Sequence, residues 1–369
     1  MSVVLFNEYP TADGRKIGEI LLNSERSLNA LQLEMIDLIQ PQLDAWKDDD
    51  SIVAVVMDSA GPKAFCAGGD IVGLYHELKA GNTDELPKAF FGREYRLDYA
   101  IHTYPKPIIC WGSGIVMGGG MGLMNGCSHR VVTETTMMAM PEVTIGLYPD
   151  VGGSWFLNRM PGRTGLFLGL TGSRMNAADA LYLGLAERFV GSEMRTTMME
   201  RLQAADWQIE ANTAVNQVLR QLEQESQALN SAQPQAESAV RNHYDFIQQV
   251  TDHDSVADIV AALVATETDD KWIQKAQKAI GHGSPLAINL IHRQWHRARH
   301  LSLAEAFRAE LELSVQCCRN GEFAEGIRAL LVDKDGAPNW MFSSLADVDQ
   351  SKVDSFFESV WEESPLADL

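Results

Sequence analysis

Two glycine clusters, each standing directly behind an apolar run, constrain this chain more than any other feature. Ile52-Val-Ala-Val-Val-Met57 is a continuous β-branched run, the pattern of a strand covered on both faces. Phe65-Cys-Ala-Gly-Gly-Asp70 follows it. The pattern returns at Pro107-Ile-Ile-Cys-Trp111, which leads into Gly112-Ser-Gly-Ile-Val-Met-Gly-Gly-Gly120, and again at Arg130-Val-Val-Thr133. Upstream, residues 3–6 and 17–22 read as strands around the turn Thr11-Ala-Asp-Gly14. Asn29 and Gln32 look like a helix N-cap pair, with Leu31, Met35, Leu38 and Ile39 at helical spacing. Pro41 is expected to kink that helix or to start a new turn. Strand and helix alternate to about residue 190, which is an α/β pattern.

Beyond residue 194 the strand signal stops. Residues 194–230 are helical in period, Ser226–Ser238 reads as a loop, and helices resume near 244–264 and 269–280. A last helix is expected to start at Ser284-Pro285 and run towards Arg319. The expected organisation is therefore a core over 1–195 followed by a helical region over 196–369. With 30 basic and 50 acidic residues the net charge is −20, which argues against nucleic acid as a partner. No apolar run approaches the ~20 residues a bilayer requires, and MSVVLFNEYP lacks a signal-peptide pattern, so no membrane partner is expected. The five cysteines are odd in number and form no C-x-x-C, which points to reduced thiols and a cytoplasmic location.

The chemistry is narrowed by what is missing. No G-x-G-x-x-G stands in register after a strand, the Gly118–Gly122 stretch lacks the Lys-Ser/Thr of a phosphate loop, and there is neither a G-x-S-x-G elbow nor an H-E-x-x-H helix. Glycine lets backbone approach a ligand closely, and a following helix turns free N–H groups outward. Two such groups from separate loops can hold one developing oxyanion. Each cluster alone reads equally as a tight turn. Downstream, Met140-Pro-Glu142 and Ile145-Gly-Leu-Tyr-Pro-Asp150-Val-Gly-Gly153 put two carboxyls on either side of a Gly/Pro-bearing loop, suited to acid–base work if they converge. Spacing alone does not separate that from two solvated acids.

The ordered set F-C-A-G-G-D, G-x-x-M-G-G-G and M-P-E-x-x-I-G-L-x-P-D-V-G-G resembles the enoyl-CoA hydratase/isomerase (crotonase) superfamily, and within it the 3-hydroxyisobutyryl-CoA hydrolase branch. The resemblance covers most of the chain, is densest from Gly61 to Gly172, and reappears at Glu322–Arg328 and Val332–Trp340. It implies a crotonase-type (ClpP/crotonase-like) α/β core of repeated ββα units with a helical C-terminal region completing an acyl-CoA site. It implies oxyanion donors at the N–H groups of Gly69 and Gly119, acting on a thioester oxygen. Hydratases of this family use two glutamates; the second maps to Glu142, whereas the first falls on Gly122, which has no carboxyl. Asp150 occupies the P-D-V-G-G position that resembles the hydrolase branch. Glu94, in Phe90-Phe-Gly-Arg-Glu-Tyr95, matches a position associated with binding the acyl hydroxyl.

The implied reaction is hydrolysis of 3-hydroxyisobutyryl-CoA, or a close short hydroxyacyl-CoA, in valine breakdown. Glu142 and Asp150 would be catalytic, and Glu94, Gly119, Glu142 and Asp150 would bind substrate. No cofactor or metal is implied beyond the acyl-CoA substrate itself, and a homo-oligomer is compatible with the family. A hydratase or isomerase using Glu142, and a non-catalytic CoA-binding or scaffold protein, are the other readings. His292, His296 and His300, at i, i+4 and i+8, can share a helix face, but Arg293, Arg297 and Arg299 between them oppose a bound cation. Cys66 and Cys127 read as buried small residues rather than nucleophiles.

Overall fold

The computed structural model describes residues 2–228 and 237–369. The chain forms two compact units, each discontinuous in sequence. The first comprises Met1–Gly69, Leu97–Met138 and Met175–Asn242, and the second Asp70–Arg96, Ala139–Arg174 and His243–Leu369. Both units draw on segments before and after residue 195, so they do not follow the division by composition.

The strands belong to the first unit, except Ala139 at the end of β8. They are β1 (Val4–Pro10), β2 (Lys16–Leu22), β3 (Ile52–Ser59), β4 (Ala64–Cys66), β5 (Ile108–Gly112), β6 (Ile115–Met117), β7 (His129–Val132), β8 (Met137–Ala139), β9 (Met175–Asn176) and β10 (Arg188–Phe189). A six-stranded sheet has the order β1-β2-β3-β5-β7-β10, and a four-stranded sheet the order β4-β6-β8-β9. The first hairpin is antiparallel, and β2, β3, β5, β7 and β10 run parallel. Each of the pairs β3/β4, β5/β6 and β7/β8 sends its longer strand to the large sheet and its short one to the small sheet. This is the repeated ββα architecture. β3 is buried along its whole length, as its β-branched run requires.

Helices Arg195–Ala204 and Ala211–Ala228 cover one face of the large sheet, burying Met198, Leu202, Val215, Leu219 and Leu222 against Val56, Ile109 and Val131. Of the loop expected over 226–238, residues 226–228 instead continue the second of these helices, and 229–236 lie outside the described residues.

Three local expectations are corrected. Gln32, not Asn29, stands at the N-terminal boundary of the helix Leu33–Asp48, without a side-chain capping bond, and that helix runs on through Pro41. Asn29 sits at φ +53, and its side-chain amide donates to the carbonyls of Ala60 and Ala64 at 3.0 and 2.9 Å. The last long helix is split into Pro285–Ala298 and Leu303–Arg319, because Ser302 and Glu305 form a capping box that starts a new helix.

The second unit is helical, with Glu85–Arg96 contributing the first part of the Glu85–His102 helix. Its other framework elements for the site are the 3₁₀ turn Glu142–Ile145 and the helices Gly153–Phe156 and Leu303–Arg319.

Candidate active site

In the first unit both glycine clusters end where backbone N–H groups lose their ladder partners. Leu31 N–H bonds the Gly68 carbonyl at 2.8 Å. Gly68 holds φ +118, a conformation open to glycine, and Gly69 follows at the end of this pairing. Gly119 is the first residue of the helix Gly119–Gly126, so its N–H has no intrahelical acceptor. The two segments touch at Gly120. A Cβ there would collide with the Cys66 carbonyl oxygen and lie 2.9 Å from Cys66 Cβ, so only glycine permits this approach.

In the second unit Glu94, Glu142 and Asp150 are only 2 %, 5 % and 5 % exposed; the charge of Asp150 raises the proton affinity of both Glu94 and Glu142, and that of Glu94 raises Glu142's, so they share one environment. Burial and the charge of Asp150 push Glu94 well above the usual carboxylate range. Burial, then Asp150 and Glu94, do the same to Glu142, against a hydrogen bond from its own backbone. Among the described residues the Glu142 Oε2 has no hydrogen-bond partner. Asp150 is pushed by burial only to about 6, because the Tyr95 hydroxyl donates to its Oδ2 at 2.7 Å. Like charges this close do not all ionise together. The Tyr95 hydroxyl favours the charged form of Asp150.

The loop carrying Asp150 is strained and clasped. Val151 adopts φ +52, costly for a β-branched residue by about 1–3 kcal/mol. Gly153 N–H folds back to the Asp150 carbonyl at 2.6 Å. The Glu310 carboxylate accepts from the N–H groups of Gly152 and Ser154 at 2.7 and 2.9 Å and from the Ser154 hydroxyl. It satisfies the exposed amides at the start of Gly153–Phe156 and pins the residues that follow Asp150. Burial pushes Glu310 up to about 8, while those donors pull it down.

Tyr95, Tyr148, Glu310 and Ser314 were not singled out in the sequence. Tyr95 stands beside Glu94, and its ring lies between Phe91 and Phe307, with centroids at 5.7 and 5.8 Å. The legible signal for the helical pair was polarity out of place: Glu310 and Ser314 occupy the buried face of Leu303–Arg319 with Phe307, Leu311 and Cys318. Gly122 is a buried helical glycine, so nothing supplies a second glutamate there.

Elsewhere, His292 and His296 face each other with Nε2 atoms 3.2 Å apart, but their helix ends at Ala298 and His300 is not on it. The three do not share one helix face. Cys66 and Cys127 are buried thiols that form no disulfide. No described helix is long and apolar enough to cross a membrane.

The burial of Asp150 gives a first prediction. Burial holds its folded pKa at about 6, above the ordinary aspartate value, so the charged form costs stability that is absent below about pH 4 and fully felt above about pH 6. Asp150→Asn removes that cost. We expect thermal unfolding to rise by several degrees at pH 8, equivalent to about 1–3 kcal/mol, and to change little at pH 4. Calorimetry at the two pH values checks it.

The fold and the ordered motifs define a crotonase-type protein. Residues 17–357 match the enoyl-CoA hydratase/isomerase family model, and the chain belongs to that family. It is 40 % identical to "3-hydroxyisobutyryl-CoA hydrolase, mitochondrial" of Danio rerio, covering 94 % of this chain and 88 % of that one. Against the Homo sapiens protein of the same name the identity is 36 %, over 93 % and 86 %. A solved carnitinyl-CoA dehydratase from Mycobacterium thermoresistibile superposes with a TM-score of 0.85 at 35 % identity, covering 98 % of each chain. The expected cytoplasmic location is corrected by these names, which carry a mitochondrial location. The odd cysteine count that suggested a cytoplasm does not tell one reducing compartment from another.

Proposed function

We propose that this chain hydrolyses a short 3-hydroxyacyl-CoA thioester, with 3-hydroxyisobutyryl-CoA as the preferred substrate, yielding 3-hydroxyisobutyrate and CoA in valine breakdown. The observation that carries the reading is the buried cluster of Glu94, Glu142 and Asp150, in which the Tyr95 hydroxyl favours the charged form of Asp150. The named hydrolase relatives support the substrate class.

The amides of Gly69 and Gly119 are assigned to the thioester oxygen, where an oxyanion develops as the carbonyl carbon is attacked. Asp150, ionised at neutral pH, accepts a proton. In direct attack the proton comes from water. In covalent catalysis it comes from Glu142, which then attacks the carbonyl to form an anhydride that water opens. In both routes the C–S bond breaks with its electron pair on sulfur, and the proton is passed to the thiolate. Activity then falls as pH drops below about 6, because protonated Asp150 no longer accepts.

Glu94 is assigned to the acyl hydroxyl. We expect free-thiol release from 3-hydroxyisobutyryl-CoA to exceed that from isobutyryl-CoA, and Glu94→Gln to narrow the ratio by about 10–100-fold. An unchanged ratio would remove Glu94 from substrate selection. The hydratase reading has its own support, since the superposing solved structure is named a dehydratase. Against it stands Gly122. Loss of the enoyl-thioester absorbance of crotonyl-CoA, without thiol release, would favour hydration.

A further inference from the structure

Behind Asp150 lies a line of oxygens that ends on the backbone of the Leu303–Arg319 helix. Asp150 Oδ2 is 2.7 Å from the Tyr95 hydroxyl, which is 2.7 Å from the Ser314 Oγ. Ser314 Oγ is 2.8 Å from the Tyr148 hydroxyl, which is 2.7 Å from the Glu310 carbonyl oxygen. All of these side chains are buried.

Each such oxygen–oxygen contact needs one proton between its partners. The line has four contacts, but only three protons are available, one on each of Tyr95, Ser314 and Tyr148. The carbonyl and an ionised carboxylate only accept. Ionised Asp150 therefore leaves one contact unfilled. Tyr95 donates to the carboxylate and Ser314 to Tyr95, while the single Tyr148 proton serves either Ser314 or the Glu310 carbonyl and one of those two contacts stays open. A proton on Oδ2 supplies the fourth. Tyr95 and Ser314 then turn the other way, Asp150 donating to Tyr95, Tyr95 to Ser314, Ser314 to Tyr148, and Tyr148 to the carbonyl.

We propose that Tyr95, Ser314 and Tyr148 form a positioning relay for Asp150, reversing its hydrogen-bond direction as that carboxyl gains and then gives up the proton transferred in thioester hydrolysis. The inference rests on the function proposed above. No proton travels along the relay, because each hydroxyl keeps its own and only rotates. The chemical proton arrives on Asp150 from water or Glu142 and leaves to the CoA thiolate. The relay keeps the carboxyl fully hydrogen-bonded when it is neutral and still bonded when it is charged, so both halves of the reaction use one geometry.

Other titratable groups surround Asp150. Glu94 on the Glu85–His102 helix and Glu142 on the 3₁₀ turn disfavour further negative charge. On the Leu303–Arg319 helix stand Glu310, Cys317 and Cys318; burial pushes both thiols up, so they stay neutral. Burial also holds the phenols of Tyr95 and Tyr148 protonated.

The count makes opposite predictions for two isosteric changes. Tyr95→Phe removes the donor to the charged carboxylate, so the Asp150 titration moves to higher pH. Tyr148→Phe leaves two contacts and two protons when Asp150 is charged, a filled line, and one proton too many when it is neutral. The titration then moves to lower pH, and Ser314→Ala moves it the same way. Each shift is expected to be about half to one pH unit.

The experiment is isotope-edited infrared titration of ¹³C-aspartate protein, with Asp150→Asn assigning the band, alongside the acid limb of the kcat pH profile on 3-hydroxyisobutyryl-CoA. Opposite shifts for Tyr95→Phe and Tyr148→Phe support the relay. Shifts of the same sign, or none in folded variants, overturn it. A purely structural role lowers kcat without moving the limb. If the wild type releases no thiol while the infrared shifts are opposite, the proposed function fails and the relay's proton count stands.

Discussion

Glu142→Gln is expected to lower kcat for thiol release by about 10²–10⁴-fold, the range for loss of a positioned acid–base group, while leaving the fold intact. Glutamine keeps the shape of the side chain but neither attacks a carbonyl nor exchanges a proton. It also relieves a carboxyl already pushed well above its ordinary range by burial and by Asp150, so stability at neutral pH is expected to hold or rise. That combination, a slower and no less stable enzyme, separates a chemical role from a structural one. Asp150→Asn is expected to match it in kcat. Rapid quench followed by mass measurement of the peptide containing Glu142 distinguishes the two routes: an acyl adduct marks the anhydride, and its absence during steady turnover marks direct water attack. Near wild-type activity in both variants would remove these carboxyls from the reaction.

The second large effect is expected from a methyl group. Gly120→Ala places a Cβ against the Cys66 carbonyl and Cβ, and neither is the flexible end of a side chain. The end of β4 and the loop that carries Gly69 must therefore shift away from the helix that begins at Gly119. If those two amides hold the thioester oxygen, kcat falls by about 10²–10³-fold, the effect of losing one oxyanion donor. Gly281→Ala is the control. A Cβ there meets nothing within 4 Å, and the residue lies inside the helix Lys271–His282, so activity is expected to be unchanged and stability equal or higher. Circular dichroism and a kcat against KM comparison on both variants check the prediction. An active, folded Gly120→Ala protein would detach the glycine clusters from catalysis.

Much of the architecture was legible because it is local. β3 and β5 announce themselves as unbroken apolar runs, and the turn at Gly14, at φ +86, needs the residue that stands there. The three-residue strands β4, β6 and β8 were not legible, since so few residues carry no period, and they pair only because the longer strands deliver them to a common edge. Asn29 misled for a similar reason: a good capping residue is spent on the carbonyls of Ala60 and Ala64, which lie 31 and 35 residues away.

What the sequence alone determined is the kind of backbone and the kinds of side chain: alternating strands and helices, glycines where chain must approach chain, and carboxyls at Glu94, Glu142 and Asp150. These follow from steric and hydrophobic rules that act over a few neighbouring residues. The tertiary structure decided which of those groups meet and which carboxyl receives a hydroxyl donor. Tyr95 reaches Ser314 across 219 positions, and Glu310 secures Ser154 across 156. Desolvation and through-space charge depend on how the chain closes around a group, and neither is written in the spacing of its neighbours.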